Sequence, residues 1–99
     1  MKLALFARLE AKPGKEKEVE DFLRQGLALA NQEATTLLWF ALRVGPTTFA
    51  IFDAFGNEDA RQRHLNGPIA QALMAEAPTL FAAPPAIESL EVLGAKLPK

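Results

Sequence analysis

The stretch Leu37–Phe55, LLWFALRVGPTTFAIFDAF, limits what this chain can fold into more than any other. It reads as a β-hairpin turned at Gly45-Pro46. Leu37, Trp39, Ala41 and Arg43 fall on one face of its first strand, and Leu38, Phe40, Leu42 and Val44 on the other. A strand with one wet face alternates apolar with polar residues. This one barely does, and neither does its partner, Thr47–Ala54. Both sides of the sheet therefore need cover. Helices from the same chain can cover one side; the cheapest cover for the other is a second copy of the protein.

Composition supports that inference. A chain of 99 residues makes one domain, here residues 1–99. A domain of that size buries only about two-thirds of its unfolded surface. Yet 49% of the residues are hydrophobic and 23% charged, which is rich in apolar residues for so small a body. With 11 basic and 12 acidic residues, the chain has no clustered positive charge for nucleic acid. Without cysteine there is no disulfide or thiolate metal site, and one histidine excludes multi-histidine metal sites. The apolar run Leu3–Ala7 is stopped by Arg8. It is too short for a signal peptide's core of about 7–15 residues or a membrane span of about 20. The expectation is a cytoplasmic protein with no membrane or nucleic-acid partner.

Along the chain, Leu3–Ala11 forms a strand with Leu3, Leu5, Ala7, Leu9 and Ala11 on one face. Lys12–Lys15 is a turn that opens a helix, with Gly14 as its expected N-cap. Val19, Phe22, Leu23, Gly26, Leu27 and Ala30 follow as the stripe of an amphipathic helix. Gly26 on that stripe permits close approach to the sheet, and Glu20 with Arg24 makes an i, i+4 pair. After the hairpin, Asn57 caps a short helix carrying His64 and Leu65 on one face, broken at Asn66-Gly67-Pro68. A further helical piece spans Ile69–Ala77 and ends at Pro78. Leu80–Pro85 is an apolar connector, Ala86–Leu93 is the last strand, and the tail after Gly94 is loose. The order βαββαβ is the ferredoxin-like α+β pattern: an antiparallel sheet with helices on one face. Two such sheets packed through their open faces give a homodimer, a dimeric α+β barrel.

Four stretches carry a family resemblance: Arg8–Lys15 as opening strand and turn, Phe49–Phe55 with an acidic residue two positions before an aromatic, Arg63-His64-Leu65-Asn66-Gly67-Pro68 as a helix end, and Leu80–Pro85 leading into Ala86-Ile87-Glu88. In order and spacing the chain resembles the antibiotic biosynthesis monooxygenase superfamily of dimeric α+β barrels, from about Leu3 to Val92. The resemblance implies oxidation of an aromatic phenol or quinol by O2 with no cofactor. Haem degradation is not implied, because that branch's three residues would fall near Ala7, His64 and Met74, and none matches. The chain also lacks tyrosine, and Phe55 stands where the family often has Trp.

Several residues have a chemical and a structural reading. His64 is the one side chain that titrates near neutrality, and so the candidate catalytic base or hydrogen-bond donor; otherwise it caps a helix end. Trp39 can stack on a planar substrate, with Arg43 as its anion contact; otherwise they are packing and a rim ion pair. Phe40 and Phe52 are candidate walls of the substrate site, or core or dimer interface, as are Phe6 and Phe49. Asp53, in an apolar strand, is a candidate substrate contact or a buried carboxylate paired with Arg8 or Arg43. The functional alternative to an enzyme is a binding or assembly protein holding a small aromatic ligand on the same dimer.

Overall fold

The structure is a computed structural model that describes residues 1–98. Its elements are β1 (Leu3–Glu10), α1 (Glu16–Ala30), β2 (Thr36–Arg43), β3 (Thr48–Phe55), α2 (Glu58–Leu65), α3 (Pro68–Leu80) and β4 (Ala86–Glu91). Lys99, the last residue of the expected loose tail, lies outside the described residues. The strands form one antiparallel sheet in the order β2-β3-β1-β4, the ferredoxin-like α+β arrangement expected from the hydrophobic pattern.

Alternation sorts the strand residues between two faces. In register, Leu5 lies opposite Asp53, Ala7 opposite Ile51 and Leu9 opposite Phe49. Across the other edge of β3, Trp39 lies opposite Asp53 and Arg43 opposite Phe49. All of these face the helices. Leu9, Phe49 and Ile51 pack there with Val19 and Leu23 of α1 and with Leu73 and Leu80 of α3. Leu5 and Phe55 pack with Ala60 of α2. The opposite face carries Phe6, Phe52, Leu38, Phe40 and Leu42, and among the described residues no helix covers it. Phe40 is 48% and Leu42 41% exposed.

The helices begin for local reasons. Glu16 and Glu18 sit in the first turn of α1, where carboxylates complement the helix dipole. Its N-cap is Lys15 rather than Gly14. Gly14 instead takes φ +84° in the preceding turn, a conformation open to glycine. At α2 the expected cap holds: the Asn57 side chain accepts from the Ala60 N–H at 2.9 Å. α3 does not stop at Pro78 but runs on to Leu80. Lys12 supplies the reason. Its Nζ donates to the Pro78 carbonyl and its N–H to the Leu80 carbonyl, answering acceptors of the last turn. β4 is shorter than expected, ending at Glu91. Among the described residues no helix is long and apolar enough to cross a membrane.

Candidate functional site

Among the described residues, Asp53 and His64 are the only buried polar or charged side chains, at 2% and 7% exposure. Their placement follows from periodicity. Asp53 shares the helix face of β3 with Phe49 and Ile51, and α2 turns His64 toward that face. His64 Nε2 lies 2.8 Å from Asp53 Oδ2. Its Nδ1 lies 2.7 Å from Glu33 Oε1, and Glu33 belongs to the link between α1 and β2. Thr36 Oγ1 donates to the same Glu33 oxygen at 2.8 Å. The Phe55 ring lies against the imidazole, centroids 5.3 Å apart.

Both ring nitrogens therefore face carboxylate acceptors, and both donate when the imidazole is protonated. Burial alone would lower the His64 pKa, but the hydrogen bonds and charges of Asp53 and Glu33 outweigh it and raise the value above 6.5. In the ionised cluster two carboxylates face one imidazolium, so one negative charge is left over. Two buried oxygens, Asp53 Oδ1 and Glu33 Oε2, have no hydrogen-bond partner. These are free acceptors in a dry setting, where an unpaired polar atom is costly. A small cavity of about 30 Å³, bounded by Leu5, Ile69 and Leu73 among others, lies against Asp53 and His64. It has room for a single water-sized group.

A larger cavity, of about 110 Å³, lies alongside between α1, α3 and the sheet, walled by Phe22, Leu29, Trp39, Ile51 and Ile69. Gly26 makes room for it. A Cβ there would stand 3.3 Å from Trp39 Cζ2 and Cη2. The buried Trp39 Nε1 likewise has no hydrogen-bond partner. Ile51 and Ile69 border both spaces, and Trp39 lies directly across from Asp53 in the β2–β3 register.

The remaining candidates lie elsewhere. Arg43 does not join Trp39 around one ligand. It reaches Glu20 Oε1 at 2.6 Å, and its guanidinium sits 4.6 Å above the Phe49 ring centroid. It borders a separate outer cleft of about 190 Å³. Glu20 also holds Arg24, at 3.2 Å, as the spacing predicts. Phe40 and Phe52 pair at 6.4 Å on the uncovered face, so they cannot wall a cavity under the helices. Asp53 pairs with neither arginine. Strand parity puts Arg8 on the opposite face, and Arg43 is held by Glu20. Glu33 was not among the sequence candidates. It lies in a connecting segment without periodicity, and the contact joins residues 31 positions apart. Among the described residues no group of three His, Cys, Asp or Glu side chains is arranged to hold a metal ion.

The same backbone occurs in other solved structures. The NE2512 protein of unknown function from Nitrosomonas europaea is 61% identical and superposes with a TM-score of 0.96, over 99% of this chain and 95% of that one. The chain belongs to the same family as that protein. Candidate antibiotic biosynthesis monooxygenases from Caulobacter crescentus and Deinococcus radiodurans share the fold. The first is 21% identical, with a TM-score of 0.80 over 94% of this chain and 91% of that one. The second is 21% identical, with a TM-score of 0.78 over 98% of each. The architecture is thus the antibiotic biosynthesis monooxygenase fold. No protein-family model and no curated protein matches the chain. In this fold, the histidine–carboxylate cluster and the Trp39 cavity occupy the space between sheet and helices.

Proposed function

We propose that the protein is a monooxygenase that oxidises an aromatic phenol or quinol with O2 and needs no cofactor. In such a reaction one oxygen atom enters the ring and the other leaves as water. The substrate supplies all four electrons, so no separate reductant is required. The slow event is electron transfer from substrate to O2, and a phenolate gives up an electron more readily than a phenol. The protein's task is to take the hydroxyl proton in a dry pocket.

One observation carries the proposal: Asp53 Oδ1 is buried and unpartnered in a residue that lines the small cavity of about 30 Å³. It accepts the substrate hydroxyl's hydrogen bond and then its proton. Because the cluster holds one negative charge in excess, taking one proton makes it neutral, which burial favours. His64 is then a positioning residue. Its imidazolium holds Asp53 Oδ2 and aims Oδ1. This revises the simplest expectation, His64 as the base, because both its nitrogens are engaged. Trp39 is the wall against which the ring lies.

The functional unit of this reading is a homodimer. The exposed apolar side chains on the uncovered sheet face, Phe40 and Leu42 among them, support pairing with a second copy.

Oxygen uptake tests the chemistry. With a panel of phenols and hydroquinones, substrate-dependent uptake is expected to fall by about 10²-fold or more in Asp53→Asn, as for loss of a general base. Uptake no faster than the uncatalysed rate across the panel would overturn the enzyme reading in favour of a ligand-binding protein on this fold. Uptake unchanged in Asp53→Asn would remove Asp53 from the chemistry.

A further inference from the structure

The outer cleft between α1 and β2 is larger than the cavity under Trp39, about 190 against 110 Å³, and the proposed reaction does not use it. The two spaces share one wall residue, Leu23, and are otherwise lined by different side chains. Leu23 and Phe49, both buried, give the cleft an apolar floor, and Ala41 of the edge strand β2 is part of its wall. An apolar cavity of roughly 150 Å³ holds one benzene molecule. The cleft therefore has room for one ring or a short chain of similar bulk.

Its rim is charged. Glu20 stands between two guanidiniums, with Oε1 2.6 Å from Arg43 Nη2 and Oε2 3.2 Å from Arg24 Nε. Among the described residues no other carboxylate pairs with either arginine. Two cations against one anion leave one positive charge in excess. Each guanidinium has five N–H donors. Arg24 uses one, on Glu20, and Arg43 uses two, on Glu20 and on the Pro46 carbonyl at 3.4 Å. The others are open to a ligand. Arg43 is also held in place before anything binds, because its guanidinium lies 4.6 Å above the Phe49 ring centroid. Such preorganisation lowers the ordering cost of binding. One ligand chemistry matches floor and rim together: a single negative charge with two acceptor oxygens, on an apolar body of about one ring. A neutral ring leaves the excess charge unanswered, and a dianion brings a second negative charge beside Glu20. We infer that the α1–β2 cleft is a binding site for a small organic monocarboxylate, its carboxylate on Arg43 and Arg24 and its apolar body on Leu23 and Phe49. The inference takes nothing from the monooxygenase reading and stands or falls separately.

Benzoate is the probe, followed by backbone ¹H–¹⁵N shifts. It is expected to give saturable shifts centred on Leu23, Ala41 and Arg43. Benzyl alcohol keeps the ring without the charge, and is expected to bind about tenfold or more weakly, the range for losing a hydrogen bond to a charged group. Acetate keeps the charge without the ring, and is expected to bind weakly for want of apolar burial. Phthalate, a dianion, is expected to bind more weakly than benzoate. In Arg43→Gln the benzoate affinity is expected to fall by about tenfold or more. Arg43→Lys is expected not to restore it, because an ammonium has no planar fork. Ala41→Leu fills the cleft from an exposed strand position, and is expected to abolish binding while the melting temperature is held. Equal binding of benzoate and benzyl alcohol, or of benzoate and phthalate, would overturn the inference. So would native-like binding in Ala41→Leu, or no saturable shift with benzoate by about 10 mM.

Discussion

His64 joins three separate parts of the chain through two contacts, at 2.7 and 2.8 Å. Removing it leaves Asp53 and Glu33 facing each other's charge without a cation. His64→Ala is therefore expected to cost about 3–5 kcal/mol, the range for breaking a buried ion pair from one side, measured by urea denaturation. The same contacts predict a pH dependence. The folded-state pKa of His64 is raised above 6.5, so between those two values the folded protein binds more protons than the unfolded chain. Stability then falls as pH rises. Its contribution is complete below pH 6.5 and is lost as pH passes through the raised value. Urea midpoints from pH 6 to 9 should decline in the native protein, and this decline should be absent in His64→Gln. A rise over that range would mean that the carboxylates do not hold the proton on the ring. At this scale the sequence was partly legible. The inward parity of Asp53 and the position of His64 on the short helix were there to be read. The partnership with Glu33 was not, because no local pattern announces a contact between a connecting segment and a helix end.

Elements bring these residues together, and α2 is the short one. With eight residues it has few internal hydrogen bonds, and tertiary packing does most of the stabilising. Its start depends on Asn57, whose side chain answers the Ala60 N–H. Asn57→Ala is expected to cost about 1 kcal/mol, read from the shift in urea midpoint. Because α2 carries His64, the same variant should raise hydrogen exchange at Glu33 and Thr36 more than at the β1–β3 ladder. Equal effects at both places would mean that α2 is not an independent support of the cluster. Element order was legible because alternation in the strands and the stripe of α1 each have one simple solution. The end of α3 was not. Proline at 78 argues locally for a stop, and only the distant Lys12, which bonds the carbonyls of the last turn, explains why the helix continues.

For the whole molecule, the sheet sets one covered face against one uncovered face. The chain's apolar content exceeded what one small core can use, and that excess stands at Phe40, Leu42 and their neighbours. Sedimentation at micromolar concentration is expected to give a dimer for the native protein and a monomer for Phe40→Glu, since a charge there would be buried unpaired at the interface. A native monomer would overturn the two-sheet arrangement. Hydropathy could tell that both sides of the hairpin need cover. It could not tell which phenylalanines belong to which side: Phe49 lies under the helices, while Phe40 and Phe52 lie on the open face.

β3 serves both sides at once. Ile51 and Asp53 look into the cavity, while Ala50, Phe52 and Ala54 look the other way. The ligand handling and self-association proposed above would thus occupy alternate letters of one eight-residue word. Substitutions on odd and even positions can be selected almost independently, because their side chains never meet. A single inserted or deleted residue is a different matter. It would shift the reading frame of the strand, turning Phe52 inward and the Asp53 carboxylate onto the apolar outer face, and both roles would be lost together. Variation along this strand is therefore expected to proceed by replacement and not by change of length.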